Sequence, residues 1–215
     1  VFGGHQRSKL PVTYNTLASR DFLCEQMPPV NTWGKNYFVT PYPQPGNMPN
    51  VGTDLIRVIA SVNNTVLYLN GTVVRQLNAG QFYEMPLTAA GFLSATAPVL
   101  VAQFKQSSQV LGGNSILSDP FMMIIPPREQ YLRSYRCTNA QAYESNSNDP
   151  TYFKQYMTVI IPKDSLPTLR IDGSPVSPLR TGDIPAFPSL NLCIAYTYAW
   201  IEVPDGVHTV EAGTP

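Results

Sequence analysis

Apolar and polar positions alternate with a period near two along much of the chain, and Gly, Pro, Asn or Asp interrupts the pattern every few residues. Successive strand side chains point to opposite faces, so this alternation predicts short half-buried strands joined by turns. Residues 55–60 place Ile56, Val58 and Ala60 on one face. Residues 65–69 and 72–77 flank Asn70-Gly71, a dipeptide that accepts positive φ at both central turn positions and predicts a type I′ hairpin. Further strands are expected over 37–42, 81–85, 98–105, 121–125, 130–137, 152–161, 167–172, 192–203 and 207–211. Within 152–161 the apolar face is Phe153, Met157, Val159 and Ile161. Asp172-Gly173 and Asp205-Gly206 read as hairpin turns. Only residues 20–27 resemble a helix, with Ser19 as N-cap, Asp21 in the first turn and Pro28-Pro29 as the stop.

The expectation is therefore an all-β protein of antiparallel sandwiches, with at most one short helix near 20–27. Residues 1–215 are read as one domain, in which two packed sub-units could meet at the polar stretch 138–151. Two other polar stretches, 43–53 and 106–118, read as loops.

Composition narrows the function. Lys and Arg total 14 and Asp and Glu total 14, so the net charge is zero and gives no reason to hold nucleic acid. Charged residues are 13% of the chain, about half the usual share, while the 21 prolines are about twice theirs. That mixture suits strands and turns better than surface helices. No apolar run reaches the length of about 18 residues that a spanning helix needs, so membrane insertion is not expected. The first residues, Val1-Phe2-Gly3-Gly4, lack both an initiator Met and a signal segment, which suggests a piece of a longer protein.

Candidate chemistry is sparse. His5 and His208 stand far apart, no zinc, phosphate-loop, dinucleotide or nucleophile-elbow spacing occurs, and no calcium loop is present. No cofactor, metal or catalytic activity is expected; a hydrolase would require His5 or His208 to meet a carboxylate and a hydroxyl in the fold. Cys24, Cys137 and Cys193 are either three buried free thiols or include one bond, Cys137–Cys193. Asn63-Asn64-Thr65 and Asn70-Gly71-Thr72 are glycosylation acceptors if the chain is secreted.

Several blocks share one resemblance. They include Val1-Phe2-Gly3-Gly4-His5-Gln6, Pro28-Pro29-Val30-Asn31-Thr32-Trp33-Gly34, Arg57-Val58-Ile59-Ala60-Ser61, Leu77-Asn78-Ala79-Gly80-Gln81-Phe82 and Ile125-Pro126-Pro127-Arg128-Glu129-Gln130. In this order they resemble the N-terminal domain of the IgG-Fc-binding protein family, found in large secreted mucus and matrix proteins. The resemblance implies secretion, an all-β architecture and adhesion or assembly, with no catalytic residues. It places a cysteine pair where this chain has Arg7 and Arg20, and an apolar residue where it has Cys24, so Cys24 is expected to be a buried free thiol. Family members extend past both ends, which makes Val1 and Pro215 expected cut edges.

The function expected is thus an extracellular structural or adhesive module whose partners are proteins, its own copies or other domains of a parent chain. A glycan-binding sandwich is the alternative, with Trp33, Tyr143 and Trp200 as stacking candidates. Binding of antibody Fc follows from the resemblance alone.

Overall fold

A computed structural model describes residues 1–10, 20–42, 54–106, 120–139 and 155–213. The chain divides into two compact units, Val1–Gln130 and Tyr131–Pro215. The expected boundary stretch 138–151 lies, beyond Asn139, outside the described residues. No helix among the described residues is long and apolar enough to cross a membrane.

The first unit contains β1 (Phe2–Ser8), β2 (Asp21–Gln26), β3 (Gly34–Val39), β4 (Asp54–Ala60), β5 (Thr65–Leu69), β6 (Thr72–Leu77), β7 (Phe82–Leu87), β8 (Gly91–Phe104) and β9 (Met122–Ile125). Strand β8 organises it. Val99 pairs with Gly34 of β3 on one edge and with Ala60 of β4 on the other. The same reasoning puts β5 beside β4 on one edge of β8, and β9 beside β3 on the opposite edge. β6 extends the sheet beyond β5, and β7 extends it beyond β4.

Two stretches of β8 therefore serve two sets of partners, and the strand bends between them. The bend has a cause. On β3, Gly34 faces Val99 but Asn36 faces Ser94, so residues 95–98 of β8 stand against Lys35 alone. Pro98, which lacks a donor, falls inside this bulge, where a strand proline is tolerated. Tyr37 closes the gap: its hydroxyl donates to the Val99 carbonyl at 2.5 Å and accepts the Gly34 N–H at 3.1 Å.

The curled sheet wraps one apolar core. Tyr37, Val39, Leu67 and Leu93 come from around the first half of β8; Ile56, Val58, Met85 and Val101 come from around the second. Ile56, Val58 and Ala60 share the inward face, as the alternation predicts. The opposite face carries Leu55, Ala102, Phe104 and Met122, which pack with Leu10 and Leu23 beneath the β1–β2 hairpin.

The second unit contains β10 (Ser134–Thr138), β11 (Gln155–Pro162), β12 (Arg170–Ile171), β13 (Ser174–Pro175), β14 (Arg180–Ile184), β15 (Tyr196–Val203) and β16 (Val207–Glu211). They form two antiparallel sheets, β10-β16-β12-β13 and β11-β15-β14. Met157, Val159, Ile161, Ile201 and Val203 of one sheet pack with Cys137, Ile171 and Val210 of the other, which makes this unit a sandwich. Phe153, the fourth member of the expected apolar face, lies outside the described residues.

The all-β expectation holds, with local corrections. Residues 21–26 are strand, not helix: Phe22, Cys24 and Gln26 are exposed while Leu23 is buried, a period of two that the pairing with β1 enforces. The short helical turns are 3-10 segments elsewhere, such as Val30–Thr32 and Lys163–Thr168. Asp205-Gly206 closes no hairpin, because β15 and β16 belong to different sheets and the turn is a corner between them. Asn70-Gly71 and Asp172-Gly173 do close hairpins, with φ of 50° and 83° and of 52° and 77°.

Candidate functional site

The hairpin β1–β2 stands off the outer face of the curled sheet and leaves a cleft of about 830 Å³ within the first unit. Strand parity decides its floor. Ile59 of β4, Leu100, Ala102 and Phe104 of β8, and Met122 and Ile124 of β9 all point outward from the core and line it. Leu23 and Met27 form part of the hairpin wall. Gly4 makes that wall possible: a Cβ there would lie 1.9 Å from the Leu23 carbonyl oxygen, so any other residue would push the two strands apart.

The rim is basic. His5, Arg7, Lys9, Arg20 and Arg57 line the cleft, and among the described residues no Asp or Glu does. Ser8 pairs with Asp21, and this register brings Arg7 and Lys9 to the same end of the hairpin as Arg20. Among the described residues these three cations have no carboxylate partner. Arg57 differs, since its Nε and Nη2 donate to Glu84 Oε2 at 3.1 and 2.6 Å. Its guanidinium also lies 5.1 Å from the Phe82 ring centroid and 4.9 Å from that of Phe104. Stacked and paired, it is a fixed part of the wall.

A buried polar network stands at the start of β4. Asp54, 1% exposed, accepts the Tyr42 N–H at 2.6 Å and a Gln103 Nε2 hydrogen bond at 3.2 Å through the same oxygen. Gln103 also donates to the Thr40 carbonyl. Burial pushes the Asp54 carboxyl up to about 6, against the pull of the Tyr42 N–H, the Lys105 charge and Gln103.

In the second unit Asp172, His208 and Cys137 come together, a trio with the residue types of a catalytic triad. The geometry denies that role. His208 Nδ1 meets Asp172 Oδ2 at 2.7 Å and Nε2 meets the Pro204 carbonyl at 2.8 Å, so both ring nitrogens face acceptors and neither faces the thiol. The Cys137 thiol donates to the His208 carbonyl, and burial followed by the Asp172 charge raises its pKa. The trio is a clasp between the β12–β13 turn and β16.

The bond to Asp172, then that to Pro204, raises the His208 pKa, because the charged ring is the form that donates twice. A raised folded value means that the stabilisation is complete below about 6.5 and is lost as pH rises through the folded value. Thermal melts should therefore show the second unit losing stability as pH rises above about 6.5. In Asp172→Asn that slope should flatten.

The sequence-predicted positions fall as follows. Trp33 is half-buried with its indole N–H on the Pro28 carbonyl. Trp200 is 6% exposed and Arg180 lies over its ring, so it offers no free face for stacking and is corrected from a glycan candidate to a core residue. Tyr143 lies outside the described residues. Asn63 and Asn70 are exposed, and their side-chain carbonyls accept the Ala79 and Phe92 N–H groups. Cys137 and Cys193 are not bonded to each other; all three thiols are free, and Cys24 is exposed rather than buried because it sits on the outward face of β2. Among the described residues no cluster of three or more His, Cys, Asp or Glu is placed to hold a metal.

Sequence reasoning missed the cleft. In the sequence Arg7 and Arg20 stand out only as replacements in the family pattern, and Arg57 only as part of a strand. The usable signal was Gly3-Gly4, which marks a close backbone approach, followed by basic residues at 7 and 9. No curated protein and no solved structure matches the chain. The family model described as IgGFc binding protein matches residues 1–215, the whole chain, and the chain belongs to that family.

Proposed function

We propose that the chain is a non-catalytic extracellular module that holds protein partners in matrix, mucus or cell-surface structures, with its own copies among them. Family membership supports a binding role. The observation that carries the reading is the outward face of the N-terminal hairpin. Phe2 pairs with Gln26 and so shares a face with Phe22, Cys24 and Gln26. Phe2 is 72% and Phe22 67% exposed, and none of the four is charged. Two large rings presented to water on one neutral strand face suit contact with another protein. A stacking role in glycan recognition keeps Trp33 as its one candidate among the described residues.

The test compares the wild type with Phe2→Ser/Phe22→Ser, each immobilised and exposed to mucus or matrix extract, with purified antibody Fc as a separate arm. Loss of two exposed aromatic anchors should lower retention of the captured protein at least about tenfold. Equal retention by both proteins would refute the reading.

A further inference from the structure

We propose that the cleft beneath the β1–β2 hairpin is a binding site for a long-chain acyl carboxylate, a ligand distinct from the protein partners of the outward face. The volume of about 830 Å³ is that of a small-molecule site rather than of a packing gap. Charge complementarity fixes one end of the ligand. Arg7, Lys9 and Arg20 line one end of the hairpin, and the described lining residues include no carboxylate; Asp21, which pairs with Ser8, stands at the same end but outside the lining. A carboxylate placed among these cations gains charge-assisted hydrogen bonds. Arg57 is not available for this, being held by Glu84.

The floor fixes the other end. Ile59, Leu100, Ala102, Phe104, Met122 and Ile124 present no side-chain donor or acceptor. A peptide laid there would bring backbone N–H and C=O groups into a surface that cannot satisfy them, which is costly. An acyl chain has no such groups. One carboxylate on the basic rim with its hydrocarbon on the apolar floor satisfies every part of the cleft.

Equilibrium dialysis of the full chain with radiolabelled palmitate, below its micelle concentration, tests this. The comparisons are hexadecanol, an acidic peptide with apolar residues, Arg7→Glu/Arg20→Glu and Ala102→Phe. Both arginines are exposed, so the double variant should melt like the wild type. The expected result is saturable palmitate binding, weakened at least about tenfold by the arginine double variant and blocked by Ala102→Phe, with hexadecanol binding more weakly. The proposal is overturned if palmitate does not bind, if charge reversal leaves its affinity unchanged, if hexadecanol binds equally well, or if the peptide binds and palmitate does not.

Discussion

Replacing Tyr37 by alanine should cost the first unit about 3–5 kcal/mol, and replacing it by phenylalanine about 1–3 kcal/mol. The two numbers separate two roles. Tyr37 is 1% exposed and belongs to the core enclosed by the curled sheet, so alanine leaves a cavity among Val39, Leu93 and Val99. Phenylalanine keeps the ring and removes only the hydroxyl. That hydroxyl bridges the Gly34 N–H and the Val99 carbonyl at the place where the β3–β8 ladder is interrupted. Both backbone groups then lose a partner in a dry site. Burial, the largest influence, pushes the Tyr37 phenol up to about 12, so it remains a donor at any ordinary pH. Urea unfolding of the two variants checks the split. Equal losses would mean that the hydroxyl bridge contributes nothing.

Asp54 should make the first unit gain stability on mild acidification, opposite to the usual behaviour of a paired carboxylate. Its folded value of about 6 lies above the unfolded value near 3.9. The unfolded chain therefore gives up the proton first, and the carboxyl favours folding fully below about 3.9 and progressively less as pH rises through 6. At about 1.4 kcal/mol per unit, ionised burial costs about 3 kcal/mol at neutral pH, and about half of that returns between pH 7.5 and 5. In Asp54→Asn the Tyr42 N–H keeps its acceptor and the titration is gone. The wild type should thus gain on the order of 1 kcal/mol relative to the variant over that interval, read from urea midpoints at each pH. A parallel response of the two proteins would remove Asp54 as the cause.

The parts of the fold that were legible are those where local chemistry decides. Residues 65–69, 72–77 and 207–211 are rich in Thr, Val and Leu, and Asn70-Gly71 accepts the positive φ of a tight turn, so those bounds coincide with β5, β6 and β16. Other parts depend on distant partners. Phe2–Ser8 is rich in Gly and polar residues and becomes a strand because Asp21–Gln26 pairs with it. The start of β8 was hidden by Pro98, which looks like a boundary but sits in a bulge where its missing N–H does no harm. Arg180–Ile184 is mostly polar and is a strand because it pairs with β15.

The site was less legible than the fold for the same reason. Arg7 and Arg20 are neighbours through hairpin register, and His208 meets Asp172 across 36 positions of chain. The residue types were visible in the sequence, but their meeting places were set by strand pairing.

In the proposed function the N-terminal hairpin is the element that contacts the protein partner. Hydrogen exchange of the full chain, free and bound to the protein it retains from extract, measures this most directly. The predicted result is slowed exchange concentrated in Phe2–Ser8 and Asp21–Gln26, with the strands of the second unit unchanged. Protection confined to the second unit, with the hairpin exchanging as it does in the free chain, would contradict it.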